Sequence, residues 1–563
     1  MIKELIISKR PNYIFLTGLI VFTALNIFSA CTMELHFDEA YYWLYSQHPA
    51  MGYFDHPPMI SWIISLGTNI FPGELGVRFF SILFSSLSIL FLWRIIKKYS
   101  PDPVLFWTLI YSTALIHPYS FISTPDSPLF FLSIAIFYYY KKYLEKSSFQ
   151  NVLILALVIA LSVYSKYHAV LIILFILISN LSLFKKFSFW AIFLLVIVYL
   201  LPYISWQADN GFPSIRYHLI DSHKTEYNIS VTINYILSEL AVTGPLLGWL
   251  FLYAMLKTKP SGKWEKGLKY SGIGIFVFFF LSTFGGDFEA HWTLVAFPPL
   301  IILSYKFLLE NQKWQKWVKI AGIANFVLLL VLRIIIITPA ANNIQALKIF
   351  KGNKKEAEMI KKYAGSTPVL FQDSWTKASL FAYYSNNKWT ANLNSSLHRR
   401  NQFDLYDNDE ILTGETVLIF SNDSLQFKDY DTFITNKSKF YVKEIKNFHS
   451  FYNLTFDKPD FKYTSDSLIF NTVIRNPYEY NLNVDNKQFE FKWQLYTKSG
   501  KKWILLYEDL INDFNINANG SLKISGAFPL SNKIKDSKTL YLTLKAGELK
   551  PLPTKWNIAL DNN

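Results

Sequence analysis

The sequence contains a single cysteine, Cys31, among 563 residues. One cysteine excludes internal disulfides and any zinc cluster built on cysteines. Residues 339–563 lack an apolar run long enough to cross a bilayer and are rich in Asn, Lys, Asp and Tyr, whereas residues 12–338 consist mainly of apolar runs. The chain is therefore predicted to be a membrane half followed by a soluble half, with residues 1–31 as a retained first span rather than a removed signal.

Eleven apolar segments of the first half are candidate membrane spans. Helix is the conformation expected for all of them, since an open strand edge in lipid would leave backbone groups unpaired. The segments are 12–31, 76–96, 103–122, 127–141, 149–165, 168–184, 187–206, 236–256, 269–285, 291–309 and 318–338. The predicted fold class is thus an α-helical polytopic membrane protein with about 11 transmembrane helices and a soluble C-terminal half.

Lys and Arg are divided unequally between the two sets of alternating loops. Twenty of them lie in one set, whereas the other set carries only Arg78, Lys166, Arg216 and Lys224. Because loops rich in positive charge stay in the cytoplasm, this bias predicts a cytoplasmic N-terminus and an extracytoplasmic C-terminal half. The net charge of +14 says little until the charges are placed; in the membrane half they lie mostly in short loops on one side, and we expect no nucleic-acid partner.

The soluble half is predicted to contain two domains. Short strands over 368–371 and 416–420, with a helix over 376–384, predict a small α/β unit. Farther along, aromatic residues alternate with polar ones between turns of Asn, Asp and Gly, which predicts an all-β, sandwich-like domain. The predicted division of the chain is 1–338, 339–435 and 436–563.

The first predicted exterior loop, residues 34–58, contains no Lys or Arg but carries several carboxylates. Asp38 and Glu39 stand together, and Asp55 is followed by His56 and two prolines. The plain interpretation is an acidic loop that only helps to set topology, with Asp38 and Glu39 capping the following helix. The functional interpretation is that these carboxylates contact charged groups from other loops.

The other predicted exterior loops supply such partners. They contain Asp126 in a turn with Pro125, then Lys166 and Tyr167, then Arg216, and then Glu289, His291 and Trp292. Singly, each has a structural explanation: a lysine can snorkel to the interface, and a His-Trp pair can sit there. Together they place charges at the outer rim, which favours a reaction between a lipid-borne substrate and a molecule approaching from outside.

Six motifs follow one another along the membrane half and the loops that join it. They are FDEAYYW (37–43), GYFDHPPM (52–59), TPD (124–126), SKY (165–167), SIRY (214–217) and EAHW (289–292). In this order they resemble the motifs of bacterial glycosyltransferases related to the aminoarabinose transferase of lipid A and to protein O-mannosyltransferases, polytopic enzymes of the GT-C fold. The resemblance covers about residues 10–420, including 398–404, and does not extend to residues 440–563.

The resemblance implies an inverting transferase in the bacterial inner membrane with its site at the outer face. Its donor would be a polyprenyl-phosphate sugar, and its acceptor lipid A or lipopolysaccharide, another glycolipid, a glycan or a protein. Asp38 is implied as the general base, with Glu39 orienting the acceptor or the neighbouring helix. The residues expected to bind substrate are Asp55, His56, Asp126, Lys166, Tyr167, Arg216, Glu289, His291 and Trp292.

Within that set, Lys166, Arg216 and His56 are expected to stabilise the phosphate that leaves, because negative charge builds up there in the transition state. The aminoarabinose transferase has a Glu-Lys pair where this chain has Asp55-His56. This departure weakens any transfer of that enzyme's sugar specificity to this chain, and it makes the charge at this position dependent on pH.

No cofactor is firmly predicted. The ligand types that a divalent ion binds are present in Asp38, Asp55, His56, Asp126, Glu289 and His291. A metal-free set of hydrogen bonds is favoured, because a phosphate-linked leaving group carries less charge than a diphosphate.

Two alternatives to an enzyme stay open. A flippase or transporter of a lipid-linked sugar would carry polar residues through the bilayer, whereas here only Arg333 lies well inside a predicted span. The second alternative is an envelope-binding protein whose function lies in the β domain.

Overall fold

The structure is a computed structural model that describes residues 2–559, apart from 219–226, 287, 339, 342–343, 388–389, 407–411, 425–428, 484–489, 500–501, 513, 536 and 538. Lys224, one of the cations counted above, lies outside the described residues. The chain forms two compact units, Met1–Lys351 and Gly352–Asn563.

The first unit is built from helices. They are α1 (Ile2–Thr32), α2 (Phe37–Gln47), α3 (Met59–Ile70), α4 (Gly73–Ile96), α5 (Pro103–Ser112), α6 (Ile116–Tyr119), α7 (Asp126–Glu145), α8 (Phe149–Ser165), α9 (Ala169–Ser179), α10 (Phe187–Asp209), α11 (Pro213–Arg216), α12 (Ile229–Thr243), α13 (Gly248–Lys257), α14 (Lys263–Ser282), α15 (Phe297–Glu310) and α16 (Gln312–Ile337).

Six helices in the described part are long and apolar enough to cross a membrane: α1, α4, α10, α14, α15 and α16. α12 and α13 together are also long and apolar enough to cross a membrane, but they meet at an angle of 91°, the geometry of a broken span or a re-entrant loop. The other four predicted spans coincide with α5, α7, α8 and α9, which do not meet those limits of length and hydropathy. The helical polytopic fold is therefore confirmed, although α5 and α9 are shorter than the spans predicted there.

The short helices still connect two different ends of the unit. At one end, Glu265 accepts hydrogen bonds from Tyr99 and Lys306, at 2.9 and 2.8 Å, and Lys319 lies 2.8 Å from Asp102. These contacts join loops that carry most of the Lys and Arg, and we call this the basic end. The loops around residues 34–58, 123–126, 165–168, 207–218 and 283–293 contact one another at what we call the site end.

In the second unit, an α/β layer precedes the β-rich region. Its elements are α17 (Asn353–Ala364), β1 (Val369–Gln372), α18 (Trp375–Ser385), β2 (Ala391–Leu393), β3 (Val417–Ser421), β4 (Asp431–Ile434) and β5 (Lys439–Ile445). The strands form one sheet in the order β2-β1-β3-β5-β4, in which β2, β1 and β3 are parallel. Since β5 ends at Ile445, this sheet runs past the predicted boundary at 435/436, and the division into three domains stays a prediction.

The remaining strands form two facing antiparallel sheets and a separate two-stranded sheet of β9 and β12. They are β6 (Thr455–Phe456), β7 (Asp460–Tyr463), β8 (Ser467–Arg475), β9 (Leu482–Asn483), β10 (Phe491–Ser499), β11 (Lys502–Leu510), β12 (Asn515–Ile516), β13 (Ser521–Pro529), β14 (Thr539–Ala546) and β15 (Lys555–Ala559). The sheets have the orders β11-β10-β14-β15 and β13-β8-β6, and β7 also pairs with β8. Phe470 of β8 packs edge-on against Trp493 of β10, with ring centroids 5.1 Å apart, so the predicted sandwich-like β region is confirmed.

Candidate active site

Glu39 forms a buried ion pair with Arg78. Arg78 donates from Nε to Oε1 at 2.8 Å and from Nη2 to Oε2 at 2.6 Å, and both side chains are fully buried. The same carboxylate accepts the backbone N–H groups of His36 and Ser123, each at 2.9 Å. Glu39 thus ties the first turn of α2 to α4 and to the loop before α7. This geometry suits the second role predicted for Glu39, orientation of the neighbouring helix.

Arg78 is the residue whose role the sequence did not reveal. It was counted among the cations of the exterior loops, yet its guanidinium also donates to the carbonyls of Ala30, Met33 and Glu34 at 2.6–3.1 Å. The signal that could have found it is its place inside the predicted span 76–96, where an arginine requires a counter-ion.

Asp38 faces a different environment from Glu39 beside it. Its side chain is 35% exposed, and its Oδ2 lies 3.3 Å from Nδ1 of His36. Neighbouring residues on a helix point about 100° apart, so burying Glu39 in the protein leaves Asp38 turned toward solvent. An accessible carboxylate next to an imidazole is suited to receiving a proton from an incoming hydroxyl.

Lys166, Asp126 and His291 come together from three loops. The Lys166 ammonium lies 2.9 Å from Oδ1 and 2.8 Å from Oδ2 of Asp126, and both side chains are almost fully buried. Nε2 of His291 is 3.8 Å from Asp126, and its Nδ1 is 3.2 Å from Glu289. The ring of His291 also stacks on Tyr119, with centroids 5.7 Å apart.

Asp55 and His56 form a second group with His218. Tyr41 donates to the buried Asp55 carboxylate at 3.3 Å, and the backbone carbonyl of Asp55 lies 2.9 Å from Nε2 of His218. The ring of His56 lies 5.5 Å from Tyr42 and 6.4 Å from His218. The 34–58 loop is therefore in direct contact with the segment that follows α11.

Tyr42 and His168 show that the two groups share one electrostatic environment. Burial raises the pKa of Tyr42, and nearby carboxylates raise it further. Those carboxylates belong to Asp38, Asp55 and Asp126. Burial lowers the pKa of His168, which precedes α9, and nearby cationic groups lower it further. Those groups belong to Lys166, His291, His218 and His56. Carboxylates of two loops, 34–58 and 123–126, and basic groups of four loops therefore act over short distances at the site end.

Tyr167 and Trp292 pack around these charges. Tyr167 hydrogen-bonds Tyr203 through the two hydroxyls, and its ring lies 5.3 Å from that of His218. Trp292 lies against His168, with ring centroids 5.9 Å apart. These aromatic side chains therefore contact the histidines of the site end.

Arg216 lies apart from the buried groups. It ends the short helix α11, and its side chain is exposed. The structure therefore brings together all the predicted site residues except Arg216, which borders the undescribed residues 219–226.

The candidate ligands for a divalent ion do not gather into a cluster. Among the residues that the structure describes, no three His, Cys, Asp or Glu side chains form a group that could hold a metal ion. Both oxygens of Asp126 already accept from Lys166. The described residues thus do not fit a metal, and we derive no step through one.

Comparison with known proteins identifies similar transferases. Residues 55–206 match the family model described as dolichyl-phosphate-mannose-protein mannosyltransferase. The lipid A galacturonosyltransferase RgtD of Rhizobium johnstonii is 23% identical over 366 residues, a match that covers 61% of this chain and 76% of that protein.

The solved structures of ArnT from Cupriavidus metallidurans share the fold. The apo form aligns with a TM-score of 0.56 and the form bound to undecaprenyl phosphate with 0.55, both at 12% identity. Each alignment covers 76% of this chain and 97% of ArnT. Together with the family match, this confirms the resemblance seen in the motifs: the chain is a PMT- and ArnT-like polytopic glycosyltransferase of the GT-C class.

Proposed function

We propose that the protein is an inverting glycosyltransferase that moves a sugar from a polyprenyl phosphate to an envelope glycolipid such as lipid A. The observation that carries this proposal is the meeting of Asp38, the Asp126-Lys166-His291 group and the Asp55-His218 group at the site end. Such a site suits a substrate whose lipid tail lies between helices while its charged head group lies at the membrane surface.

The relatives support the choice of substrates. RgtD is named for transfer of galacturonic acid to lipid A, and one ArnT structure holds undecaprenyl phosphate. We extend the substrate classes, a lipid phosphate and a glycolipid, to this chain but not the particular sugar, because Asp55-His56 departs from the aminoarabinose transferase. The excess of Lys and Arg at the basic end supports a cytoplasmic basic end, an exterior site end and an exterior C-terminal unit.

The reaction is a displacement at the anomeric carbon. The acceptor oxygen attacks this carbon from the face opposite the phosphate, and its proton passes to the Asp38 carboxylate. The bond from the anomeric carbon to the phosphate oxygen breaks, and the electron pair stays on the polyprenyl phosphate. A carboxylate is a sufficient base because the hydroxyl proton leaves late, when the new bond is already forming.

Lys166 is the cation best placed to stabilise the leaving phosphate. Asp126 fixes the position of its ammonium, and an ammonium has three N–H donors, so one stays available to a third partner. In a site shielded from water, such a fixed charge lowers the barrier more than it would in solvent. Arg216, at the exposed edge, and His56 complete the set of basic groups proposed for the phosphate.

The test is transfer by the purified protein in lipid nanodiscs, supplied with polyprenyl-phosphate sugars and an envelope lipid extract. Mass spectrometry of envelope lipids from a deletion strain first identifies the missing sugar. Asp38→Asn is expected to bind donor normally and to lower the transfer rate by about 10²–10⁴-fold, because only the proton acceptor is lost.

The same variant separates the enzyme from a flippase. A flippase carrying Asp38→Asn would move lipid-linked sugar across the bilayer of a sealed liposome much as the wild type does, and it would form no glycosylated acceptor. Transfer by Asp38→Asn within about threefold of wild type would contradict the proposed base.

A further inference from the structure

Arg333 is a cation within a membrane-spanning helix, and no carboxylate in the described part of the chain neutralises it. It lies in α16, and its Nη2 donates to Asn26 Oδ1 at 3.0 Å and to the carbonyl of His117 at 2.9 Å. Ser120 Oγ lies 3.4 Å away. Among the described residues, Arg333 makes no ion pair, and an unneutralised charge at this depth is costly.

A second arginine, Arg78, lies near Arg333. The ring of Phe121 has the guanidinium of Arg78 at 5.7 Å from its centroid and that of Arg333 at 5.4 Å. Glu39 neutralises Arg78 through two hydrogen bonds and also accepts two backbone N–H groups. Glu39 therefore compensates the charge of Arg78, and the charge of Arg333 stays uncompensated among the described residues.

Two buried donors at the same place also lack acceptors. Nε of Arg333 and Nδ2 of Asn26 have no hydrogen-bond partner in the described part of the chain, and the Asn26 side chain is fully buried. Both groups are N–H donors, and they belong to residues that hydrogen-bond each other. A cation and a neighbouring amide that each have an unsatisfied donor can bind an anion that offers several oxygens.

The surroundings of Arg333 are accessible from lipid. It lies four residues before the end of α16 at Ile337, which is about 6 Å along the helix axis and within the reach of a lipid head group. Only 17% of the most apolar window of this helix is buried in the protein, and the neighbours Leu332 and Ile334 are exposed. Arg333 also borders a narrow recess. The recess is lined by Phe22, Leu25, Tyr111, His117, Phe326 and Leu330.

We propose that Arg333 and Asn26 form a binding site for the phosphate of a membrane lipid, separate from the sugar-transfer site. The guanidinium supplies the charge and directional donors, and the exposed flank of α16 accommodates the acyl or prenyl chain. The same phosphate chemistry is present in a phospholipid and in a polyprenyl phosphate, and the experiment below distinguishes them. The proposal does not depend on the transfer reaction.

Native mass spectrometry of the full-length protein tests this site. Detergent-purified protein is mixed with phosphatidylglycerol, with undecaprenyl phosphate, with the phosphate-free digalactosyldiacylglycerol, or with inorganic phosphate. The wild type is expected to retain one phosphate-bearing lipid at activation energies that strip the phosphate-free lipid. Whichever phosphate lipid displaces the other at equal concentration is the ligand.

Variants locate the binding. Arg333→Met is expected to lower the retained fraction at least about tenfold, because a charge-assisted phosphate contact is lost, and Arg333→Lys should lower it less. Lys316→Met removes the same charge from the opposite end of α16 and should leave retention unchanged. Equal retention by wild type and Arg333→Met would overturn the proposal.

A second result would overturn it without any variant. If the wild type holds digalactosyldiacylglycerol as firmly as phosphatidylglycerol, or if inorganic phosphate alone saturates the protein, no lipid-phosphate site exists.

Discussion

The two ends of the membrane unit use charge in different ways. At the basic end, the ion pair of Lys319 and Asp102 keeps 34% and 26% of its side chains exposed. At the site end, Glu39 and Arg78 are fully buried, and Lys166 and Asp126 nearly so. The partly exposed Lys319–Asp102 pair can satisfy a membrane-orientation rule in many arrangements, whereas the two buried pairs of the site end are fixed by specific partners.

The comparison distinguishes charges that set the orientation in the membrane from charges that form the candidate active site. A buried charge is expensive, and the protein retains it only where its position matters. At the site end the buried pairs bring four loops to one place and leave Asp38 accessible. We therefore expect substitutions at the two ends to differ in the size of their effects.

The largest effect is expected from breaking the Glu39–Arg78 pair. Glu39→Ala leaves the Arg78 charge buried without a carboxylate, which should cost about 3–5 kcal/mol of stability and lower the yield of folded protein. The loss is measured as the melting temperature and the monodisperse fraction on size-exclusion chromatography.

The double variant Glu39→Met with Arg78→Leu is the matched control. Removing both charges should restore part of the lost melting temperature, because no unpaired charge remains. A double variant less stable than Glu39→Ala would show that the pair is not what stabilises this region.

A smaller effect on stability is expected at the site end when the pH is lowered. Burial lowers the pKa of His168, so below about pH 6.5 the unfolded chain takes up a proton that the folded protein does not. The free energy of unfolding should therefore decrease as the pH is lowered, by up to about 2 kcal/mol from this residue at pH 5. His168→Phe should reduce the difference between melting temperatures measured at pH 7 and pH 5. An unchanged difference would place His168 in contact with water.

The smallest effect is expected at the basic end. Lys319→Met breaks a partly exposed ion pair with Asp102 and should cost less than about 1 kcal/mol, with transfer activity close to wild type. Parallel melting and transfer measurements on Lys319→Met and Glu39→Ala check the contrast. Equal losses in the two variants would remove the distinction between the ends.

Much of this architecture could be predicted from the sequence because hydropathy and charge act locally. The apolar segments, the alternation of basic loops and the aromatic alternation of the β region all correspond to elements of the structure. Helix length was less predictable. The predicted span 103–122 breaks after Ser112, since a helix packed inside the protein need not cover the bilayer by itself.

The site residues could be chosen from the sequence, but their pairing could not. Lys166 and Asp126 are 40 residues apart, and Arg78 and Glu39 are 39 apart. No local pattern links such residues, because the folding of α4, α7 and α8 brings them together. Asp38 and Glu39 stand together in the sequence, whereas the structure gives them separate surroundings.

A double-mutant cycle between Asp38 and Lys166 tests most directly whether the loops of the site end act as one catalytic site. Transfer rates are measured for Asp38→Asn, Lys166→Met and the double variant, with melting temperatures to confirm folding. If both residues act in the same step, the double variant should transfer no more slowly than the worse single variant. A double variant slower by the product of the two single losses would show that Asp38 and Lys166 act independently, and would contradict this account of the site.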